Sequence, residues 1–301
     1  MGLISGSVDR LLHGTALTSD AYGAAGPAAR ELHRSGPVVD LVVGTALFRS
    51  SLLSATPRGH VDLPRLRAAG VQLVGLTLAT RFPDLRGTLS RFHFRSLGMP
   101  PEALRSGMAT LEWLIGRVDS WCAASDGALR LLPTRQALQA WLAQPAEARP
   151  VGVFLGVQGA HALDGELANV QRLRERGVRM LALAHVMDNA FVGSGTGRRR
   201  RGLSASGREL IAELERQDVL VDLAHMSQTG LRASLAAVSR PPMLSHTGLL
   251  RHSNSRSRWS PFSPATRNVP DWAVREVGQA GGVVGVVLST QLLGGSTIAQ
   301  A

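Results

Sequence analysis

Three histidines stand where short apolar runs stop. The segments are Leu181-Ala182-Leu183-Ala184-His185, Leu220-Val221-Asp222-Leu223-Ala224-His225 and Met243-Leu244-Ser245-His246, and an earlier run ends in Val157-Gln158-Gly159. A neutral imidazole can ligate a transition metal, polarise a carbonyl or carry a proton. A single histidine at the end of a strand is more often a packing or hydrogen-bonding residue. Three on successive runs argue for a shared polar site, although their spacing alone does not name a reaction. The remaining candidates are weaker. His161, after Gly159-Ala160, reads as structural, and His13, His33, His93 and His252 read as surface residues. No serine sits in a Gly-x-Ser-x-Gly elbow, and Cys122 lacks the local signature of a nucleophile. The Gly193-Ser194-Gly195-Thr196-Gly197 run resembles a phosphate loop but lacks the lysine that follows in one.

The runs that must position these residues are Val38–Gly44, Val71–Thr80, Val151–Gln158, Arg179–His185, Val219–His225, Met243–His246 and Gly282–Ser289. They are rich in Val and Leu with little polar alternation, the pattern of strands buried on both faces of a parallel sheet. Amphipathic segments lie between them. Ser204 is expected to cap one through Leu210, Ile211 and Leu214, and Ser227 another through Leu231, Leu235 and Val238. Repeated strand–helix order predicts an α/β fold, a TIM-type (β/α) barrel, in which strand ends converge on one face and carry the site. Seven strands are legible, so the barrel is expected to lack its last strand. Residues 1–37 read as an N-terminal extension and 38–301 as one barrel domain, shortened at its C-terminus. Residues 82–144 fall outside the strand pattern, with a helix around Leu104–Trp121, and Arg251–Thr266 reads as a long loop.

Composition narrows the function. The 301 residues carry a formal charge of +11, with every one of the 33 basic residues an arginine. Aromatics are only 4%, too few to interleave with a basic stripe, so nucleic acid is not an expected partner. The densest basic run, Arg198 to Arg201, reads as a solvated loop. One cysteine precludes an internal disulfide. No apolar run reaches the roughly 18 residues of a membrane span. The start lacks a signal peptide, so the chain as written is expected in the cytoplasm, or exported or membrane-attached if a segment precedes it.

Several short stretches together resemble the membrane dipeptidase (renal dipeptidase) family, particularly its bacterial members. They are Gly59-His60-Val61-Asp62-Leu63-Pro64-Arg65-Leu66, Gly156-Val157-Gln158-Gly159, Leu183-Ala184-His185 with Asp188-Asn189, and Gly202-Leu203-Ser204. Val221-Asp222-Leu223-Ala224-His225, Leu244-Ser245-His246-Thr247 and Arg267-Asn268-Val269-Pro270-Asp271 complete the series. The resemblance implies a zinc-bearing barrel, two ions in the family, that hydrolyses dipeptides or similar small molecules. It matches His225 and His246 to the histidines of one zinc and His185 to the histidine that contacts substrate. Arg267 matches the arginine that binds the substrate carboxylate, with Asn268 beside it. Homodimerisation is left open.

The same resemblance exposes departures. The family's first strand ends in Asp-x-His-x-Asp, whereas this one reads Asp40-Leu41-Val42-Val43-Gly44, so Val42 and Gly44 stand at lost ligand positions. Gln158 replaces the bridging glutamate and can offer only a weak amide ligand. The aspartate of the eighth strand has no counterpart up to residue 301. His60-Val61-Asp62 imitates a metal pair, but Asp62 reads as a helix N-cap with Pro64 in the first turn. The expected function is therefore dipeptide hydrolysis by metal-activated water, with one zinc at most and activity reduced or lost. The alternatives are a non-catalytic relative that binds a small peptide or amino-acid derivative, and a truncated remnant.

Overall fold

The structure is a computed structural model that describes residues 26–49, 51–55, 60–81, 88–252, 264–288 and Leu292. In chain order the first elements are α1 (Pro27–Arg34), β1 (Val38–Val43), α2 (Thr45–Phe48), α3 (Leu63–Ala68) and β2 (Val71–Ala79). Then follow α4 (Thr88–Ser96), α5 (Gly107–Ala123), β3 (Leu129–Leu131), α6 (Arg135–Leu142), β4 (Val151–Gln158) and α7 (Asn169–Glu175). The remainder is β5 (Val178–Ala182), α8 (Ala205–Arg216), β6 (Leu220–Asp222), α9 (Gln228–Leu235), β7 (Met243–Thr247), α10 (Pro264–Arg267), α11 (Asp271–Gln279) and β8 (Val283–Val286). Parallel strands alternating with helices make this a TIM-type (β/α) barrel fold.

The chain divides into two compact units. The first takes in Met1–Leu78, Arg91–Arg105 and Glu112–Leu155. Its β1 pairs in parallel with β2, with Val38 opposite Val71 and Val43 opposite Leu76, and β3 pairs with β4. β3 went unread in the sequence because its three residues are too few for any period to show. α5 fills the helical region expected around 104–121, and its part from Glu112 on, which belongs to this unit, buries Leu114, Ile115 and Val118 completely. Asp62 is the N-cap of α3, accepting from the Arg65 backbone N–H at 3.0 Å and pairing with the Arg65 guanidinium. One expectation fails here. His93 is half-buried, not a surface residue, and its Nε2 meets the Leu47 carbonyl at 2.6 Å. Its spacing in α4 gave no hint of that distant acceptor.

The second unit takes in Ala79–Ser90, Ser106–Leu111 and Gly156–Ala301. Ser204 and Ser227 cap α8 and α9 as expected, each accepting the backbone N–H of the third residue on, Gly207 and Gly230, at 3.0 Å. Among its strands, Ala182 is level with Asp222, Asp222 with Met243, and Met243 with Val283. This row matters for the site, because each histidine lies three residues beyond it: Ala182 to His185, Asp222 to His225, and Met243 to His246. β5, β6 and β8 are shorter than expected, and β7 runs one residue further, to Thr247. His185 and His225 fall past the ends of β5 and β6, and only His246 lies within its strand. Of the expected loop from Arg251 to Thr266, residues 253–263 lie outside the described residues, and Pro264–Arg267 is one helical turn.

Candidate active site

Parallel register brings the three histidines to one height. The His185 and His225 ring centroids are 4.8 Å apart and those of His225 and His246 4.9 Å, both pairs edge to face. His225 and His246 face each other through their Nε2 atoms at 3.0 Å. Gln158, at the end of β4, turns its amide nitrogen toward the same His246 Nε2 at 3.4 Å. Sequence-distant residues thus meet at the strand ends, as the barrel reading predicted.

Backbone geometry aims these groups. His225 has φ +66°, a left-handed conformation that costs a side-chain-bearing residue on the order of 1 kcal/mol and tends to be kept at functional sites. Its carbonyl accepts the Gly195 N–H at 2.8 Å. Gly159 (φ +93°) turns the chain after Gln158, and a Cβ there would stand 2.4 Å from the His161 ring. The His185 carbonyl accepts the Ser194 hydroxyl. The glycine-rich run that imitates a phosphate loop is instead packed backbone: Asp188 accepts the Ser194 N–H at 2.8 Å and the Arg199 N–H at 2.7 Å. Arg198 to Arg201 are exposed, as expected of a solvated loop.

The arginine predicted from sequence joins the cluster. Arg267 is 5% exposed, donates from Nη2 to the His246 carbonyl at 2.6 Å, and its Nη1 has no hydrogen-bond partner among the described residues. Asn268 commits its amide nitrogen to the Leu249 and Leu292 carbonyls, at 3.3 and 2.7 Å. His185 Nδ1, His225 Nδ1 and His161 Nε2 are likewise buried without hydrogen-bond partners.

Electrostatics keep the imidazoles neutral. Burial first, then His161 and Arg267, lower the His185 pKa to about 3. Burial and Arg267 hold His225 and His246 well below the usual imidazole range. His161 falls to about 4 through burial and Arg81, against the opposing pull of Asp164. Arg267 is itself lowered to about 10 by burial, while Asp222 acts in the other direction.

Two residues that sequence reading passed over support the cluster. Asp222, at the end of β6 and fully buried, accepts the Ala224 and Ser245 N–H groups on Oδ1, both at 3.0 Å. Ser245 donates its hydroxyl to Asp222 Oδ2 at 2.5 Å and lies 2.8 Å from His246 Nδ1. A carboxylate inside the apolar run Leu220–Ala224 was the available signal, since an unpaired buried charge would be too costly to keep.

Among the described residues no group of three or more His, Cys, Asp or Glu side chains has the arrangement of a metal site. No helix among them is long and apolar enough to cross a membrane.

Comparison with known proteins agrees with this architecture. The structure is similar to the probable dipeptidase PvdM from Pseudomonas aeruginosa, with TM-score 0.67 and 18% identity over 88% of this chain and 63% of that one. It is similar also to a metallopeptidase from Rhodobacter sphaeroides liganded with a phosphinate mimic of the dipeptide L-Ala-D-Ala, with TM-score 0.66 and 21% identity over 85% of this chain and 75% of that one. By sequence, an uncharacterised dipeptidase of Schizosaccharomyces pombe is 32% identical over 140 residues, 45% of this chain. The matched stretch spans 31% of that relative's length, about a third. A family-wide sequence model, described as membrane dipeptidase (peptidase family M19), matches residues 27–300. The chain therefore belongs to the membrane dipeptidase family, peptidase family M19.

Proposed function

We propose that the protein is a metallodipeptidase relative that takes a dipeptide or similar small molecule at this cluster, with hydrolysis reduced or lost. One observation carries the reading. His225 and His246 face each other at 3.0 Å beside a buried Arg267, while the contact from β4 comes from the neutral amide of Gln158. The R. sphaeroides relative, liganded with a dipeptide mimic, supports the substrate class.

The residues fit one ion better than two. Two imidazole nitrogens on a tetrahedral zinc, at Zn–N distances of about 2.0–2.1 Å, stand roughly 3.3 Å apart. The observed 3.0 Å between the Nε2 atoms is close to that. His225 and His246 would hold the ion, with the amide oxygen of Gln158, once turned toward it, as a weak third ligand. A catalytic zinc usually has three firm protein ligands, and paired ions need carboxylates to offset their charge. At the positions where the family carries His and Asp, this chain has Val42 and Gly44. When bound, such an ion would bring the pKa of its water down from far above the physiological range to about 7.

The remaining roles belong to the chain's own side chains. Arg267 offers Nη1 to a substrate carboxylate, with Asn268 holding the turn that carries it. His185, kept neutral, presents an imidazole to the scissile carbonyl. The orphaned Nη1 also favours a second reading, a binder without turnover, because anion capture needs no metal.

Metal content by mass spectrometry, paired with a dipeptide hydrolysis assay and calorimetric binding on the same sample, tests the proposal. Less than one zinc per chain, slow or absent turnover and measurable dipeptide uptake lost in Arg267→Ala are expected. Two tightly held zinc ions with full turnover would overturn it. Gln158→Glu, which puts a charged ligand beside His246, is expected to gain metal and on the order of tenfold in rate.

A further inference from the structure

His246 has two nitrogens, and the one that carries its proton decides what the other can do. Ser245 has a single hydroxyl proton. Its oxygen lies 2.5 Å from Asp222 Oδ2 and 2.8 Å from His246 Nδ1. Asp222 also accepts two backbone N–H groups, from Ala224 and Ser245. A carboxylate so placed takes the hydroxyl proton, because a charged acceptor makes the stronger hydrogen bond. Ser245 Oγ is then left as an acceptor toward His246, whose Nδ1 must carry the hydrogen.

The other side of the ring agrees. Gln158 Nε2 can only donate, and it points at His246 Nε2 from 3.4 Å. His225 Nε2 approaches the same atom at 3.0 Å. The Gln158 donor is satisfied only by a bare lone pair there, and His225 Nε2 then supplies the hydrogen of the shorter contact in the metal-free site.

We infer that Asp222 and Ser245 are positioning residues: the relay Asp222–Ser245–His246 fixes His246 in the Nδ1–H tautomer and aims its Nε2 lone pair into the cluster. The relay spans β6 and β7, and Asp222 and Ser245 are 0% and 2% exposed, so water does not compete for it. Hydrogen bonds of this kind behind a ligating histidine typically change metal affinity by about 10–100-fold. The affinity arm of the test rests on the function proposed above; the tautomer arm does not.

Long-range proton–nitrogen NMR on the full chain, labelled at histidine, reads the tautomer, with His246 assigned by its loss in His246→Gln. The wild type is expected to show Nδ1–H. Ser245→Ala should lose that preference and weaken Co2+ binding, followed by visible absorption, about 10–100-fold. Ser245→Thr should restore both. Asp222→Asn supplies a second route should Ser245→Ala fold poorly. Its amide would donate to Ser245 Oγ, turn the hydroxyl toward Nδ1 and shift His246 to Nε2–H. A wild-type Nε2–H tautomer, or a tautomer unchanged in both Ser245→Ala and Asp222→Asn, overturns the inference. A wild type that binds no Co2+ yet shows the expected tautomers sinks the metal reading and leaves the relay standing.

Discussion

β1 and the β6–β7 pair treat an acid on a parallel strand in opposite ways. β1 holds one acid, Asp40, and its burial pushes the carboxyl pKa up while a single bond from the Val42 N–H, at 3.2 Å, opposes the shift. The chain then passes through Val43 and Gly44 into the buried apolar Ala46 and Leu47. At β6–β7 the acid is Asp222, fully buried, with three donors on its two oxygens and a histidine beyond them. β1 leads into apolar packing, and β6–β7 carries a polar network. A buried polar group survives when every partner is present and becomes a liability when partners are lost.

The comparison breaks most readily at the two acids. Asp222→Ala leaves two buried N–H groups without an acceptor, each costing about 1–3 kcal/mol, and turns the Ser245 hydroxyl to His246 Nδ1. A loss of about 3–5 kcal/mol in urea unfolding is expected, against about 1 kcal/mol or less for Asp40→Ala. Equal losses would mean that β1 hides a network of similar weight.

A smaller contrast tests the backbone. A Cβ on Gly195 would stand 2.2 Å from the Thr266 carbonyl oxygen, between the His225 carbonyl and the turn that carries Arg267. On Gly44 it would meet the Phe48 ring at 3.5 Å and Leu47 Cδ1 at 3.9 Å, both ordinary contacts. Gly195→Ala should therefore cost about 2–3 kcal/mol through overpacking. Gly44→Ala should stay within about 0.5 kcal/mol, as for an uncrowded site. Thermal melts of the two variants side by side decide it.

Acid sharpens the contrast further. His161 has a folded pKa of about 4 against an ordinary 6.5, so the unfolded chain takes up a proton that the folded chain refuses. Stability should be complete above pH 6.5 and fall as pH drops from 6.5 toward 4. At pH 5 this one residue accounts for about 2 kcal/mol. His161→Gln should lessen the slope by one proton's share, since His185, His225 and His246 also lose stability over this range; an unchanged slope would place the acid lability elsewhere.

Much of this was legible in the residues. The apolar runs, the Ser204 and Ser227 caps, the Asp62 cap and the three histidines at strand ends are local patterns, each readable from a few neighbouring side chains. What escaped was non-local or brief. β3 is three residues long, His93 finds its acceptor 46 residues away, and Asp222 meets Ser245 across 23 residues.

The sequence by itself determined the alternation of strand and helix, the neutral residues at 42, 44 and 158, and the identity of the groups available for chemistry. Periodicity and residue type are properties of the chain and need no partner to be read. Only the tertiary structure decided that His185, His225 and His246 stand at one height, because parallel register between β5, β6 and β7 is set by pairing and packing. It also decided which nitrogen of His246 faces its neighbours, since a proton's place on an imidazole depends on what stands opposite each nitrogen.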